Sequence, residues 1–133
     1  MTAAALRVLV AGATGTIGQA TVRALQRRGH QVLCLVRPQS PQTRAQWQAR
    51  LPGVQWCEAQ VTDAQAVLQA LAGQAPLDAV VSCLASRSGG PADAWAIDCH
   101  AQHHLLAAAR AAGAGRFVLL SAICVQRPLL AFQ

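Results

Sequence analysis

Leu6-Arg7-Val8-Leu9-Val10-Ala11-Gly12-Ala13-Thr14-Gly15-Thr16-Ile17-Gly18 is the stretch that decides the fold. Residues 6–11 form a short apolar run ending at a glycine, the pattern of a buried strand. Glycines then recur at 12, 15 and 18, and Ile17, Ala20, Thr21, Ala24 and Leu25 follow at helical spacing until Gly29 stops the helix. A strand that turns through glycines into a helix brings backbone amides and the positive end of a helix dipole up to a phosphate. Gly12 permits the tight turn, Gly15 lets the chain approach the phosphates, and Gly18 lets the helix pack closely on the sheet. Thr14 and Thr16 add hydroxyl donors, and Ile17 completes the loop. The strand before and the helix after it favour a dinucleotide site over a merely structural turn, and the chain has no lysine with which to form a Walker loop.

Reading outward, further apolar runs at 31–36, 54–58, 77–83 and 116–121 predict four more strands. Helical patterns at 43–50, from a cap at Asp63 to 72, and over 92–112 lie between them. Strands alternating with helices imply right-handed crossovers. The fold class expected is α/β, a Rossmann-like doubly wound parallel sheet of order 3-2-1-4-5 that lacks the C-terminal strands. Residues 1–133 read as one NAD(P)-binding domain, the N-terminal part of a longer protein. A sheet with an open edge is expected to self-associate.

Composition supports this and excludes several alternatives. Of 133 residues 53% are hydrophobic and 12% charged, with a mean hydropathy of +0.30, which suits a sheet buried on both faces. The net charge of +6 comes from eleven arginines spread along the chain rather than gathered in a stripe, so no nucleic-acid partner is expected. No apolar run is long enough to span a bilayer and no leader is evident, so the expectation is a cytoplasmic protein without stable membrane insertion. The five cysteines are far apart and read as small buried hydrophobes in a reducing compartment.

The residues after each strand select the cofactor. An acid at the end of the second strand would hold the ribose 2′-hydroxyl of NAD; here Val36-Arg37-Pro38 offers an arginine that can pair with a 2′-phosphate, so NADPH is expected. A solvated surface role for Arg37 is the alternative. Asp63 is placed to accept from the adenine amino group, to cap a helix, or both. Cys83, Leu84 and Ala85 would border the nicotinamide ribose through their backbone. Ser121 could bond the nicotinamide amide or a substrate group, or satisfy the strand end, and it is the one candidate catalytic residue. His100 and His104 stand at chelating spacing beside His103, but they flank the apolar stripe Ile97, Ala101, Leu105, Ala108 and Ala112. A partly exposed helix edge is expected and no metal. Asp98 has no assigned role.

The glycine spacing, Val61-Thr62-Asp63 and the strand-five serine resemble the atypical short-chain dehydrogenase/reductase superfamily, NmrA-like branch. Two segments are more particular: 81–87 (VSCLASR) followed by 94–98 (AWAID), and 117–133 (FVLLSAICVQRPLLAFQ). Both resemble the N-terminal part of the divinyl chlorophyllide a 8-vinyl reductase family. The resemblance implies NADPH-dependent reduction of a vinyl group on a tetrapyrrole substrate. Ordinary superfamily members polarise a carbonyl with Ser, Tyr and Lys. This chain contains neither Tyr nor Lys, and Phe132 falls where the resemblance would place the tyrosine. That fits reduction of a C=C bond; it equally fits a non-catalytic NADP(H)-binding sensor or assembly factor, or an inactive cofactor-binding fragment.

Overall fold

The structure, a computed structural model, describes residues 4–88 and 90–121. Five parallel strands, β1 (Arg7–Ala11), β2 (Gln31–Val36), β3 (Gln55–Glu58), β4 (Ala79–Ser82) and β5 (Arg116–Leu119), form one sheet in the order β3-β2-β1-β4-β5. That is the doubly wound order expected. Helices α1 (Thr16–Arg27), α2 (Pro41–Arg50) and α3 (Ala64–Ala72) make the crossovers between β1, β2, β3 and β4. Between β4 and β5 the chain runs through a single turn, α4 (Pro91–Asp93), then a π-helical segment, Ala94–Ala101, and then α5 (Gln102–Ala111). The described residues contain no helix long and apolar enough to cross a membrane.

Side chains alternate across the sheet because successive residues of a strand face opposite ways. Val8 and Val10 of β1, with Val32 and Cys34 of β2, point into a core beside Val22 and Leu51. Leu9, Ala11, Leu33 and Leu35 point the other way, into a larger core with Val67, Leu71, Leu105 and Ala108. Each face is therefore covered by helices, which is why β1, β2 and β4 read as nearly unbroken apolar runs.

Several expectations are corrected. The buried face of α1 is Gly18 and Val22, with Leu25 partly buried, whereas Ile17 is 55% exposed. The helix rests its glycine on the loop below, which turns Ile17 outward. The long Ala-rich helix is not α-helical throughout: Ala94–Ala101 is π-helical, a wider turn frequent at functional sites. The stripe Ala101, Leu105, Ala108 and Ala112 is nonetheless buried. Among the described cysteines only Cys34 is fully buried; Cys57, Cys83 and Cys99 are partly so. Cys124, Arg127 and Phe132 lie outside the described residues.

Candidate functional site

The sheet order reverses direction at β1, whose neighbours β2 and β4 lead the chain away to either side. Their carboxyl ends therefore part above β1, where an open sheet of this kind offers a crevice. A cleft of about 520 Å³ lies there, between the glycine loop and the segments following β2 and β4.

Gly12 has a φ of +75°, and a Cβ on it would lie 2.7 Å from the carbonyl carbon of Cys83. The turn and the close approach of β4 both require glycine at this position. On Gly18 a Cβ would run into the carbonyl oxygen of Gly12. Gly15 differs. A Cβ there would meet nothing nearer than the Gly12 oxygen at 3.6 Å, so packing within the protein does not demand a glycine. Its open side faces the cleft, at the N-cap of α1. The first-turn amides of a helix have no carbonyl of their own to bond, and the first turn of α1 carries no acid to repel an anion. Those features fit a diphosphate.

Gln19, which the sequence did not single out, locks the loop by donating from Nε2 to the Thr14 carbonyl at 2.9 Å. Thr21 Oγ1 donates to the Ile17 carbonyl at 2.9 Å and accepts from the Cys83 thiol at 3.7 Å, tying α1 to the end of β4. Beneath them Ser82 Oγ donates to Gln102 Oε1 at 2.6 Å, a bond buried from water. These bonds hold the loop from within the protein.

Of the residues picked out from sequence, Gly12, Thr14, Gly15, Thr16, Ile17, Gly18, Arg37, Cys83, Leu84 and Ala85 all line the cleft. Asp63 does not: its Oδ1 accepts the Gln65 and Ala66 amides, both at 3.1 Å, and caps α3, while Val61 forms that part of the wall. Ser121 lies exposed beyond β5, and the lining residue there is its neighbour Leu120. His100 and His103 are exposed on a helix edge, whereas His104 donates from Nδ1 to the Val61 carbonyl at 2.9 Å. Among the described residues no cluster of ligands suits a metal ion.

The structure also supplies residues the sequence could not. Arg87 lines the cleft beyond β4. The loop that carries it is fastened by two carboxylates from the following helical segment. Asp98 accepts the Ser86 amide at 3.0 Å and its hydroxyl at 2.7 Å, and Asp93 accepts the Arg87 and Ser88 amides at 3.0 and 3.1 Å. Bonds from Ser88 and Arg87, together with the Arg87 charge, hold the Asp93 carboxyl below its ordinary range. At the other end of the cleft an acid does stand beside the end of β2, contrary to the local reading of Val36-Arg37-Pro38. Glu58 is opposite Val36 in the sheet register. It does not line the cleft, and its carboxylate accepts from Gln39 and Arg44.

The glycine cradle and the helix end lie within the stretch that a known family matches. Residues 12–132 match the NAD(P)H-binding family. The chain belongs to that family. Its relatives include the chloroplastic divinyl chlorophyllide a 8-vinyl-reductase of Zea mays, 50% identical over 95% of this chain and 32% of the plant protein. A photosystem II assembly factor of Synechocystis is 31% identical over 87% of this chain and 33% of its own length. Among solved structures, a short-chain dehydrogenase/reductase superfamily protein from Agrobacterium tumefaciens with bound NAD is 32% identical. It superposes with a TM-score of 0.65, covering 87% of this chain and 32% of that one. This NAD(P)H-binding chain thus spans about a third of the length of the curated relatives it matches.

Proposed function

We propose that this chain is the cofactor-binding part of an NADPH-dependent reductase that converts the 8-vinyl group of divinyl chlorophyllide to ethyl. What carries the reading is the half identity with the plant vinyl reductase, spread over nearly all of this chain. The glycine loop supports the cofactor part, because Gly15 leaves room for a diphosphate above the amides of α1.

Bound NADPH supplies the hydride, and this chain's residues bind and orient. In this reading the loop from Gly12 to Gly18 holds the diphosphate and Arg37 pairs with the 2′-phosphate. The backbone of Cys83, Leu84 and Ala85 borders the nicotinamide ribose, while Asp63 serves as the cap of α3 outside the cleft wall. Ser121 bonds the nicotinamide amide or the substrate. Vinyl reduction asks for no polarised carbonyl, and so does not call for a tyrosine where the sequence has Phe132. A second reading, an NADP(H)-binding assembly factor with no reaction of its own, has the Synechocystis relative in its favour.

Calorimetric titration of the chain with NADPH and NADH tests the cofactor, and NADPH should bind more tightly. Arg37→Ala should weaken NADPH by roughly 10- to 100-fold, the value of a charge-assisted bond to a phosphate, and leave NADH unchanged. Equal affinities in the wild-type chain would end the role given to Arg37. For the reaction, the polypeptide carrying this domain is incubated with divinyl chlorophyllide and NADPH. The pigment should gain two hydrogens by mass spectrometry. Tight NADPH binding without that gain would transfer the protein to the assembly-factor reading.

A further inference from the structure

We propose that Glu58 is a positioning residue for cofactor selection: its carboxylate holds the loop that presents Arg37, and through it the preference for a 2′-phosphorylated dinucleotide. The proposal rests on the reading of Arg37 given above.

Arg37 is the first residue after β2, exposed, at the rim of the cleft, and among the described residues it forms no ion pair. A side chain with that much freedom binds a phosphate weakly unless its backbone is fixed, because ordering a long side chain together with its loop opposes binding. Residues 37–40 separate β2 from α2. One end of this link is anchored in the sheet, where the Ala59 amide donates to the Val36 carbonyl at 2.9 Å. The other is anchored by the cap of α2, where Ser40 Oγ accepts the Thr43 amide at 3.2 Å.

Glu58 joins the two ends. It stands at the tip of β3, opposite Val36. One carboxylate oxygen accepts the Gln39 amide at 3.0 Å, two residues beyond Arg37, and the other pairs with the Arg44 guanidinium on α2. In a site for NAD, an acid in this neighbourhood accepts from the ribose hydroxyls. Here both oxygens of Glu58 are engaged and neither reaches the cleft. The acid serves the loop instead of the ligand.

Two effects of removing Glu58 run in opposite directions and can be separated. Loss of the anchor should free Arg37 and weaken NADP⁺. Loss of the charge alone should free Arg44 and strengthen it. The experiment titrates the purified chain with NADP⁺ and with NAD⁺ by calorimetry, for wild type, Glu58→Ala, Glu58→Gln, Arg37→Ala and the double variant Arg37→Ala/Glu58→Ala. Thermal melts confirm that each variant is folded. Glu58→Ala should lose about three- to tenfold in NADP⁺ affinity with NAD⁺ unchanged. Glu58→Gln keeps an acceptor for the Gln39 amide while releasing Arg44, and should bind NADP⁺ at least as tightly as wild type. Adding Glu58→Ala to Arg37→Ala should cost nothing further. Unchanged or tighter NADP⁺ binding in Glu58→Ala overturns the proposal while leaving Arg37 in place, as does an equal loss in the Arg37→Ala background. A wild-type chain with no preference for NADP⁺ overturns the reading of Arg37, and Glu58 with it.

Discussion

Gly15 and Gly18 sit three residues apart and answer to different constraints. Gly18 is fixed by the protein itself, since a methyl there meets the backbone carbonyl of Gly12, which cannot move aside as a flexible side chain would. Gly15 has free space on its side-chain face. Gly18→Ala should therefore cost about 1–3 kcal/mol of stability, the range for overpacking a close contact, visible as a lower melting temperature. Gly15→Ala should leave the melting temperature of the chain within about 2 °C, as expected of a surface substitution, while weakening NADPH by about tenfold or more in a titration. Equal behaviour of the two variants would show that the loop is only a structural turn. The spacing of these glycines is a local pattern, so it was legible from sequence. Glu58 was not: it lies 21 positions beyond Arg37, and only the sheet register sets it against the end of β2.

At the scale of elements, α3 depends on a single carboxylate. Asp63 Oδ1 accepts two first-turn amides that would otherwise lack protein partners. Asp63→Ala should cost about 1 kcal/mol, a loss of about 4 °C in the melting temperature of a domain this size, and Asp63→Asn should cost little because it retains an acceptor oxygen. If the capping oxygen were dispensable, both variants would melt with the wild type in a calorimetric scan. The cap could be read from sequence because it involves neighbours in the chain. The π-helical segment could not. Residues 92–112 have an apolar spacing that an ordinary α-helix satisfies, and the wider turn over Ala94–Ala101 is where Asp98 reaches back to Ser86.

For the whole molecule, the buried thiols make stability depend on alkaline pH. Cys34, inside the sheet, is pushed up to about 12 by burial and by the neighbouring Cys57. Cys57 is pushed up to about 11 by burial, against a partial opposing effect of Arg7; being partly exposed, it contributes less. Both values lie above the unfolded thiol value of 9.0, so the protonated form is favoured by folding. Below about pH 9 the thiols are protonated in both states and their contribution is constant. Above it the unfolded chain ionises first, and stability falls as pH rises toward 12. Melting temperatures measured from pH 8 to 11 should decline more steeply in wild type than in Cys34→Ala, which removes the thiol with the larger shift; parallel slopes would rule it out as the cause.

The sequence by itself determined the parallel sheet, its 3-2-1-4-5 order and the glycine loop. The strands and the loop follow from short-range patterns (apolar runs, helical spacing, and glycine where a side chain would obstruct the turn), and the order from the right-handed crossovers of a doubly wound sheet. Only the tertiary structure decided which face of α1 is buried, that Ile17 turns outward into the cleft, and that Asp63 caps a helix without lining the wall. Only the tertiary structure placed Arg87, Asp93 and Asp98 around one loop and Glu58 beneath another. The physical reason is the same in each case. These contacts depend on strand register and helix packing, which bring together residues that no local spacing relates.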